Sequence, residues 1–185
     1  NLPLGLLFGA IAPASAPASS LLAIRDAREQ VEALMKIKKN AKKSSHDGVM
    51  ELLGRSQNER VIASCVSALS TVGNRDDVPR LRPYLSHADG RVRANTIDTI
   101  SAIGTPLQIL IFVSPMTRDY NKRARHNALR SLAKLGREGI VQLLAALLEH
   151  KNVNLRSNAI YVLENFQGDE VKKKKKKALS NDSEY

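Results

Sequence analysis

The sequence contains no tryptophan, only 4% aromatic residues and a single cysteine. One cysteine excludes an internal disulfide framework. Cys65 itself lies on a predicted apolar helix face, where a small buried side chain is the expected role. The sparse aromatic residues form no cluster on which nucleic-acid bases could stack. These absences favour a core of aliphatic side chains between packed helices.

The sequence also lacks the short motifs of common enzymes and metal sites, namely the Cys-x-x-Cys, His-Glu-x-x-His, Gly-x-Ser-x-Gly, P-loop and Gly-x-Gly-x-x-Gly patterns. The four histidines stand at positions 46, 87, 126 and 150. None has a carboxylate or a second histidine four residues later, which is the spacing of a metal pair on a helix. We therefore predict a protein that is not an enzyme and that has no metal site and no cofactor.

The first part of the chain is apolar but short. Residues 2–11 fall below the roughly 20 apolar residues that a membrane-spanning helix needs. The segment 1–20 is therefore interpreted in three ways: the end of a signal peptide, the remnant of a transmembrane helix, or an arm that docks on the folded domain. Residues 21–45 are predicted to form a basic connecting or capping helix, with Ser20 as its N-cap.

A mostly apolar pattern recurs four times after residue 58. The copies are 31, 32 and 31 residues apart, and their apolar residues stand at offsets 0, 4, 5, 8 and 11. These offsets share one face of a helix with 3.6 residues per turn. The stripe residues, copy by copy, are Val61, Cys65, Val66, Leu69 and Val72; Val92, Thr96, Ile97, Ile100 and Ile103; Ala124, Ala128, Leu129, Leu132 and Leu135; and Leu155, Ala159, Ile160, Leu163 and Phe166.

Glycine follows each copy of the pattern. Gly73, Gly104 and Gly136 come directly after it in three copies, and Gly168 comes one residue later in the fourth. Glycine at this position is typical of a helix end, because it adopts the left-handed conformation without a steric penalty. Each copy is therefore predicted to be one complete helix.

A second apolar run follows each of the first three helices, which makes the unit a helix, a tight turn and a second helix. Such a unit cannot bury its apolar face alone, and stacking on its neighbours creates one continuous core. We predict an all-α fold, an α-solenoid of stacked antiparallel helix pairs over residues 46–168, followed by a lysine-rich tail at 169–185. The second-run residues are Val78, Leu81 and Leu85; Leu107, Leu110 and Ile111; and Ile140, Leu143, Leu144, Leu147 and Leu148.

The phrases DGRVRANTIDTISAIG (89–104) and RARHNALRSLAKLG (123–136) resemble bacterial HEAT repeats of the short, phycobilisome-lyase-like kind. The first helix of that kind reads V-R-x-x-A-x-x-A-L-x-x-[IL]-G after an acidic or asparagine turn. The resemblance covers residues 56–168, and Ile62 departs from it where the other copies have arginine. It implies an α-solenoid that works as a binding scaffold, and it does not identify the partner.

The formal net charge of +11 is concentrated in two lysine clusters, one at 36–43 and one at 172–177. Lysine clusters of this kind attract phosphate, anionic lipid or acidic protein surfaces, although a lysine run is equally typical of a solvated tail. The predicted anion-binding residues are Lys36, Lys39, Lys43, Lys172, Lys173, Lys174 and Lys175.

Two sets of polar residues repeat with the helices. Arg93, Arg125 and Arg156 share one register, and we expect them to hold the turns together, with Asp89 as a candidate partner. The alternative is a stripe that binds phosphate. Asn95, Asn127 and Asn158 follow two residues later and are expected to make hydrogen bonds to a neighbouring turn.

The stretch TPLQILIFVSPM (105–116) is apolar on nearly all sides. A helix without a polar face is normally covered on both sides, and exposed apolar patches commonly mark contact sites. We predict that this helix lies on the concave side of the solenoid. Its cover would be a partner, a second copy of the chain or the N-terminal segment. The alternative is a distorted unit that buries both faces of the helix internally. The predicted partner-binding residues are Ile109, Phe112, Val113, Arg80, Arg82 and Gln142.

The sequence as a whole predicts a non-catalytic scaffold or adaptor that binds another protein, expected to be acidic, on the concave face of a short HEAT-like solenoid. Nucleic-acid binding is the first alternative, because HEAT-like folds that resemble this one include DNA-base glycosylases. The second is a module tethered to an anionic membrane through its lysines. The expected location is the cytoplasm, either free or at the inner face of a membrane. Oligomeric state and pathway stay open.

Overall fold

The computed structural model describes residues 18–165 of the chain, with side chains from 21 to 163. This part contains ten α-helices and no strand, which confirms the all-α prediction. None of these helices is both long enough and apolar enough to cross a membrane. The helices are α1 (Ala18–Ala23), α2 (Ala27–Asn40), α3 (His46–Arg55), α4 (Glu59–Val72), α5 (Val78–Leu81), α6 (Gly90–Ile103), α7 (Pro106–Val113), α8 (Lys122–Leu135), α9 (Arg137–Leu148) and α10 (Val153–Asn165).

The four copies of the apolar pattern form helices α4, α6, α8 and α10, as predicted. A polar side chain caps the start of each of the first three. The side-chain oxygens of Asn58, Asp89 and Asn121 each accept hydrogen bonds from backbone N–H groups of the first turn that follows. Capping of this kind satisfies donors that have no partner inside the helix, and it sets the start of each repeat.

Helices α4, α6 and α8 end at the predicted glycines, but for two different reasons, and Gly168 lies outside the described residues. Gly136 has a φ of 70°, the left-handed conformation that the sequence predicted. Gly73 and Gly104 have extended backbones, so the prediction of a left-handed residue is wrong there. A Cβ atom at Gly73 would lie 2.5 Å from the carbonyl oxygen of Leu69, and one at Gly104 would lie 2.6 Å from that of Ile100. Close approach of the backbone therefore requires glycine at these two ends.

Helices α2, α4, α6 and α8 stack side by side and form one layer, which we call the first-helix layer. Helices α3, α5 and α7 form the other layer and pack mainly on first helices. The core between the layers is aliphatic and continuous, and it includes Cys65, which is fully buried. This arrangement is an α-solenoid of stacked antiparallel helix pairs, as the sequence predicted.

The closer packing of one layer fixes the direction of curvature. Neighbouring first helices lie against each other along their length, whereas α3, α5 and α7 are shorter and spaced apart. A stack of helix pairs curves toward the layer whose helices lie closer together. The concave side of this solenoid therefore belongs to the first helices, and α7 lies in the opposite layer from the one that we expected.

The start of the described chain differs from the single helix predicted after Ser20. Two helices, α1 and α2, are separated by Asp26, whose side chain accepts hydrogen bonds from the backbone N–H groups of Arg28 and Glu29. An aspartate in this position starts a new helix because it satisfies the free N–H groups of the next turn. Helix α2 then takes the place of a first helix, since it stacks on α4.

The fourth copy of the pattern leaves the stack. Helix α10 packs on α9, on α7 and on the 3₁₀ turn Ser114–Arg118, and α8 is not among its main neighbours. This position explains the apolar helix α7, which lies between α10 on one side and α6 and α8 on the other. The cover that the sequence required for α7 therefore comes from the same chain.

Candidate functional site

Arg93, the first member of the repeated set Arg93, Arg125 and Arg156, forms a buried ion pair with Asp119. The side chain of Arg93 is 3% exposed and that of Asp119 is 4% exposed. Arg93 donates from Nε and Nη2 to the two carboxylate oxygens of Asp119, over 2.7 and 2.9 Å. Its guanidinium also lies over the ring of Tyr120, with 4.0 Å from Cζ to the ring centroid. Asp119, from the turn before the next repeat, therefore replaces Asp89 as the partner.

The three arginines of this register share one contact. Nη1 of Arg93 donates to the carbonyl oxygens of the residues five and six positions earlier, and Nη1 of Arg125 and of Arg156 does the same. Each arginine thus ties its helix to the turn that precedes it. The structural role is confirmed, and these side chains are not free to form a phosphate stripe.

The repeated asparagines link neighbouring first helices. Nδ2 of Asn95 donates to the carbonyl oxygen of Ala63 over 2.9 Å, and Nδ2 of Asn127 donates to that of Ala94 over 3.2 Å. The sequence predicts acceptors in a neighbouring turn. The two acceptors instead belong to the preceding first helix. Asn158 is exposed and lines a different surface, because α10 does not stack on α8.

A second set of arginines occupies the concave side and was missed in the sequence. Arg60, Arg91 and Arg123 stand one residue before the anchors Val61, Val92 and Ala124 of the first three repeats, and all three are exposed. We call them the arginine row. They are spaced by 31 and 32 residues, and Arg93, Arg125 and Arg156 are spaced by 32 and 31 residues. The repeat spacing of these arginines was therefore visible in the sequence. Only the structure shows that they face solvent.

The arginine row borders a groove of about 340 Å³ between α2, α4, α6 and α8, which we call the inner groove. Met35, 63% exposed, supplies an apolar contact in it, and Lys38 adds a further positive charge. The remaining lining residues are Val31, Leu34, Ala63, Ser64, Ser67 and Asn95.

Electrostatics differ along the arginine row. Arg91 makes an ion pair with Asp89, and the hydrogen bonds from Arg91 hold the pKa of the Asp89 carboxyl well below its usual range. Glu59 lies 4.0 Å from the same guanidinium. Within residues 21–163, Arg60 and Arg123 have no carboxylate within 4.0 Å, and Nη2 of Arg123 donates to the side-chain oxygen of Asn95. The two ends of the row are thus available to carboxylates of a partner.

The predicted partner-binding residues do not form one surface, because some are buried and others are exposed. Ile109 and Val113 are buried in the core, because α10 and the neighbouring first helices cover α7, so neither is exposed to a partner. Phe112 is half-buried, and Arg82 lies over its ring with 5.6 Å from Cζ to the centroid. Arg80 and Gln142 are exposed and lie outside the groove that Arg82 and Phe112 line.

That groove, which we call the outer groove, has a volume of about 580 Å³ and lies on the second-helix layer. Three prolines and two aliphatic side chains from α5, α7 and the 3₁₀ turns line it, together with Asn158 and Tyr161 of α10. Arginine, tyrosine, phenylalanine and methionine are enriched at protein interfaces. The outer groove has this composition, with Arg82, Phe112, Met116 and Tyr161.

The lysines of the first cluster have separate roles. Lys43 donates from Nζ to the carbonyl oxygens of Thr71 and Gly73, over 3.0 and 2.9 Å, so it caps the end of α4 rather than presenting a free charge. Lys36 and Lys39 are exposed on α2. The predicted residues Lys172, Lys173, Lys174 and Lys175 lie outside the described residues.

The titratable groups outside the arginine sets include a buried thiol and a cluster of one histidine with two carboxylates. Burial raises the pKa of the Cys65 thiol to about 12, which leaves it protonated and unreactive. No group of three potential metal ligands occurs among residues 18–165. His46 contacts the carboxylates of Asp47 and Asp77 at 2.8 and 3.0 Å. Asp77 is buried and also accepts from the backbone N–H of Asn74, so this cluster holds a turn.

Comparison with known proteins agrees with this geometry. The family model for HEAT repeats matches residues 111–184. Two crystal structures of engineered proteins are similar to the HEAT-like solenoid, each with a TM-score of 0.51. The first is 18% identical in sequence, and the match covers 89% of this chain and 94% of the engineered chain. The second is 20% identical, and the match covers 87% of this chain and 85% of the engineered chain.

These likenesses concern the fold alone, and no curated protein matches the chain. The match to HEAT repeats supports the family resemblance at its coarser level. The narrower resemblance to the short, phycobilisome-lyase-like kind from bacteria stays a prediction.

Proposed function

We propose that this HEAT-like solenoid is a non-catalytic scaffold that binds an acidic, extended segment of another protein in its inner groove. Solenoids of this kind present long concave surfaces built from equivalent positions of successive repeats. The inner groove has this form, and its exposed charges are positive. An extended acidic segment would place its carboxylates opposite the arginine row.

The observation that carries the proposal is the contrast between the two arginine sets. Arg93 is buried and satisfied by its own repeat and the next one, which accounts for its presence without a ligand. Arg60 and Arg123 are exposed on the concave side and have no carboxylate within 4.0 Å among residues 21–163. Arginine forms bidentate hydrogen bonds with carboxylates, so an acidic partner fits these side chains.

Lys36 and Lys39 extend the positive charge of the groove along α2. Their contribution would be to the rate of encounter, because exposed charges at the rim of an interface steer an oppositely charged partner more than they hold it. The same steering role is proposed for the lysine run at 172–177.

The proposal is tested by titrating the full chain into a fluorescein-labelled peptide of alternating glutamate and serine and recording fluorescence anisotropy. The double variant Arg60→Ala with Arg123→Ala should weaken binding about tenfold, equal to about 1.4 kcal/mol. Arg137→Ala with Arg118→Ala is the matched control, because both arginines are exposed and lie outside the inner groove. We expect the control to bind within about twofold of the original chain.

Two competitors separate the alternatives. A 20-base-pair duplex that displaces the peptide, and whose affinity depends on the same two arginines, would show nucleic-acid binding and overturn the proposal. Vesicles containing phosphatidylserine that displace it would favour the membrane-tethered module. Equal affinity of the double variant and the control would show that the arginine row is not the binding site.

A further inference from the structure

The first helices cover one another in a regular way until α8. On α4, the side that faces the next repeat carries Ala63, Val66 and Ser70, at offsets 2, 5 and 9 from the anchor of the repeat. Helix α6 covers this side, so Val66 is fully buried. Helix α8 covers the same side of α6 and buries Ile97 completely. Each of these sides is therefore a seat for one helix.

The equivalent side of α8 is open. It carries His126, Leu129 and Ala133 at the same offsets, and all three are exposed; Leu129 is 57% exposed. We call it the end face. Helix α10 carries the repeat pattern but packs on α9 and α7 instead. Among residues 18–165, no helix takes this seat.

The charge around the end face has one sign. Helix α8 contains no acidic residue, and its exposed side chains include Lys122, Arg130 and Lys134. Arg130 makes an ion pair with Asp98 of α6, whereas Lys122 and Lys134 make no ion pair within residues 21–163. An occupant with acidic residues on both sides of an apolar stripe therefore fits this surface, whereas a second copy of this chain, with its net charge of +11, does not.

We propose that the end face binds an amphipathic helix with acidic flanks from another protein, in the way that α8 itself binds to α6. The helix would bury Leu129 as α8 buries Ile97. Asn127 of α8 donates to the carbonyl oxygen of Ala94 on α6. A small polar residue on the incoming helix would make the equivalent hydrogen bond to α8. This site is separate from the inner groove, and it stands or falls independently of the arginine row.

The first test uses a thiol placed on the end face of the full chain. Cys65 is fully buried with a pKa of about 12, so Leu129→Cys introduces the one reactive thiol among the described residues. The probe is a synthetic peptide of residues 121–136 that carries Lys122→Glu, Arg123→Glu, Arg130→Glu and Lys134→Glu. This peptide keeps Asn127 and Ser131, whose side chains contact α6, and it has acidic flanks.

Reaction with Ellman's reagent should be fast in the full chain alone. At a probe concentration about tenfold above its dissociation constant, it should slow about tenfold, because the free fraction falls by that factor. Val153→Cys is the matched control, since Val153 is also an exposed aliphatic residue but lies on α10. Its labelling should be unchanged by the probe.

Slow labelling of Leu129→Cys without the probe would show that the chain covers its own end face, and it would overturn the proposal. Equal protection of the two thiols would show non-specific binding and would overturn it as well. As a second measurement, Leu129→Glu should weaken binding of the labelled probe at least about tenfold, whereas Val153→Glu should leave it unchanged. Unchanged binding in Leu129→Glu contradicts the proposed seat.

Discussion

The buried pair of Arg93 and Asp119 is expected to be the most sensitive polar contact between repeats. Asp119→Ala would remove the two carboxylate oxygens that receive Nε and Nη2 of Arg93, and the acceptor for the backbone N–H of Asn121. The arginine would keep its contacts with two carbonyl oxygens and with the hydroxyl of Tyr120. A buried positive charge would then lack its counter-charge.

Removal of one partner from a buried ion pair costs about 3 to 5 kcal/mol. The remaining acceptors of Arg93 reduce this cost, so we expect a loss of about 3 kcal/mol in the free energy of unfolding. Urea unfolding followed by circular dichroism measures it. Glu51→Ala is the control, because its ion pair with Arg55 is exposed and contributes only about 0.5 kcal/mol.

A double-mutant cycle with Arg93→Met isolates the pair. The coupling energy between the two positions should be about 1 to 3 kcal/mol, because the second change removes the charge that the first leaves without a partner. A loss below about 1 kcal/mol for Asp119→Ala, or independent effects of the two changes, would mean that water screens the pair. The explanation of the buried register would then be wrong.

The same pair predicts the effect of acid, because hydrogen bonds from Arg93 lower the pKa of Asp119. Its stabilisation is complete above the ordinary aspartate pKa of about 4 and is lost as the pH falls through the lower folded value. Unfolding experiments should show a steeper loss below about pH 4 in the original chain than in Asp119→Asn.

Further predictions concern the pH response, the outer groove and one helix end. Burial opposes the charged form of His46, but hydrogen bonds to Asp47 and Asp77 outweigh it and raise the pKa of His46. The protonated histidine therefore stabilises the fold below about pH 6.5, and this stabilisation is lost as the pH rises through the pKa in the folded state. His46→Gln should remove that pH dependence in urea unfolding. Phe112→Ala should cost about 1 to 2 kcal/mol, because the ring is only half-buried, and thermal melts would measure this. Gly136→Ala should cost about 1 kcal/mol at a φ of 70°, whereas Gly139→Ala inside α9 should stabilise the protein slightly; the opposite order would contradict the assigned conformations.

The candidate sites were only partly predictable. Arg82 and Phe112 were predicted to share a surface, and they lie together in the outer groove. Ile109 and Val113 belong to the same apolar helix, but they are buried, since a uniformly apolar helix does not reveal which of its sides receives a cover. The repeat spacing contained the arginine row, yet that spacing alone could not separate an exposed register from a buried one.

The repeats are specified by local patterns of residues. Apolar offsets, capping residues and terminal glycines specify a helix through contacts within a few residues, and the same contacts recur every 31 or 32 residues. Three features depend on the packing of helices in the tertiary structure. Arg93 pairs with Asp119, the first helices form the concave side, and α10 leaves Leu129 exposed. These features depend on which helices lie beside one another, and local periodicity does not encode the choice of neighbour because all four copies carry nearly the same stripe.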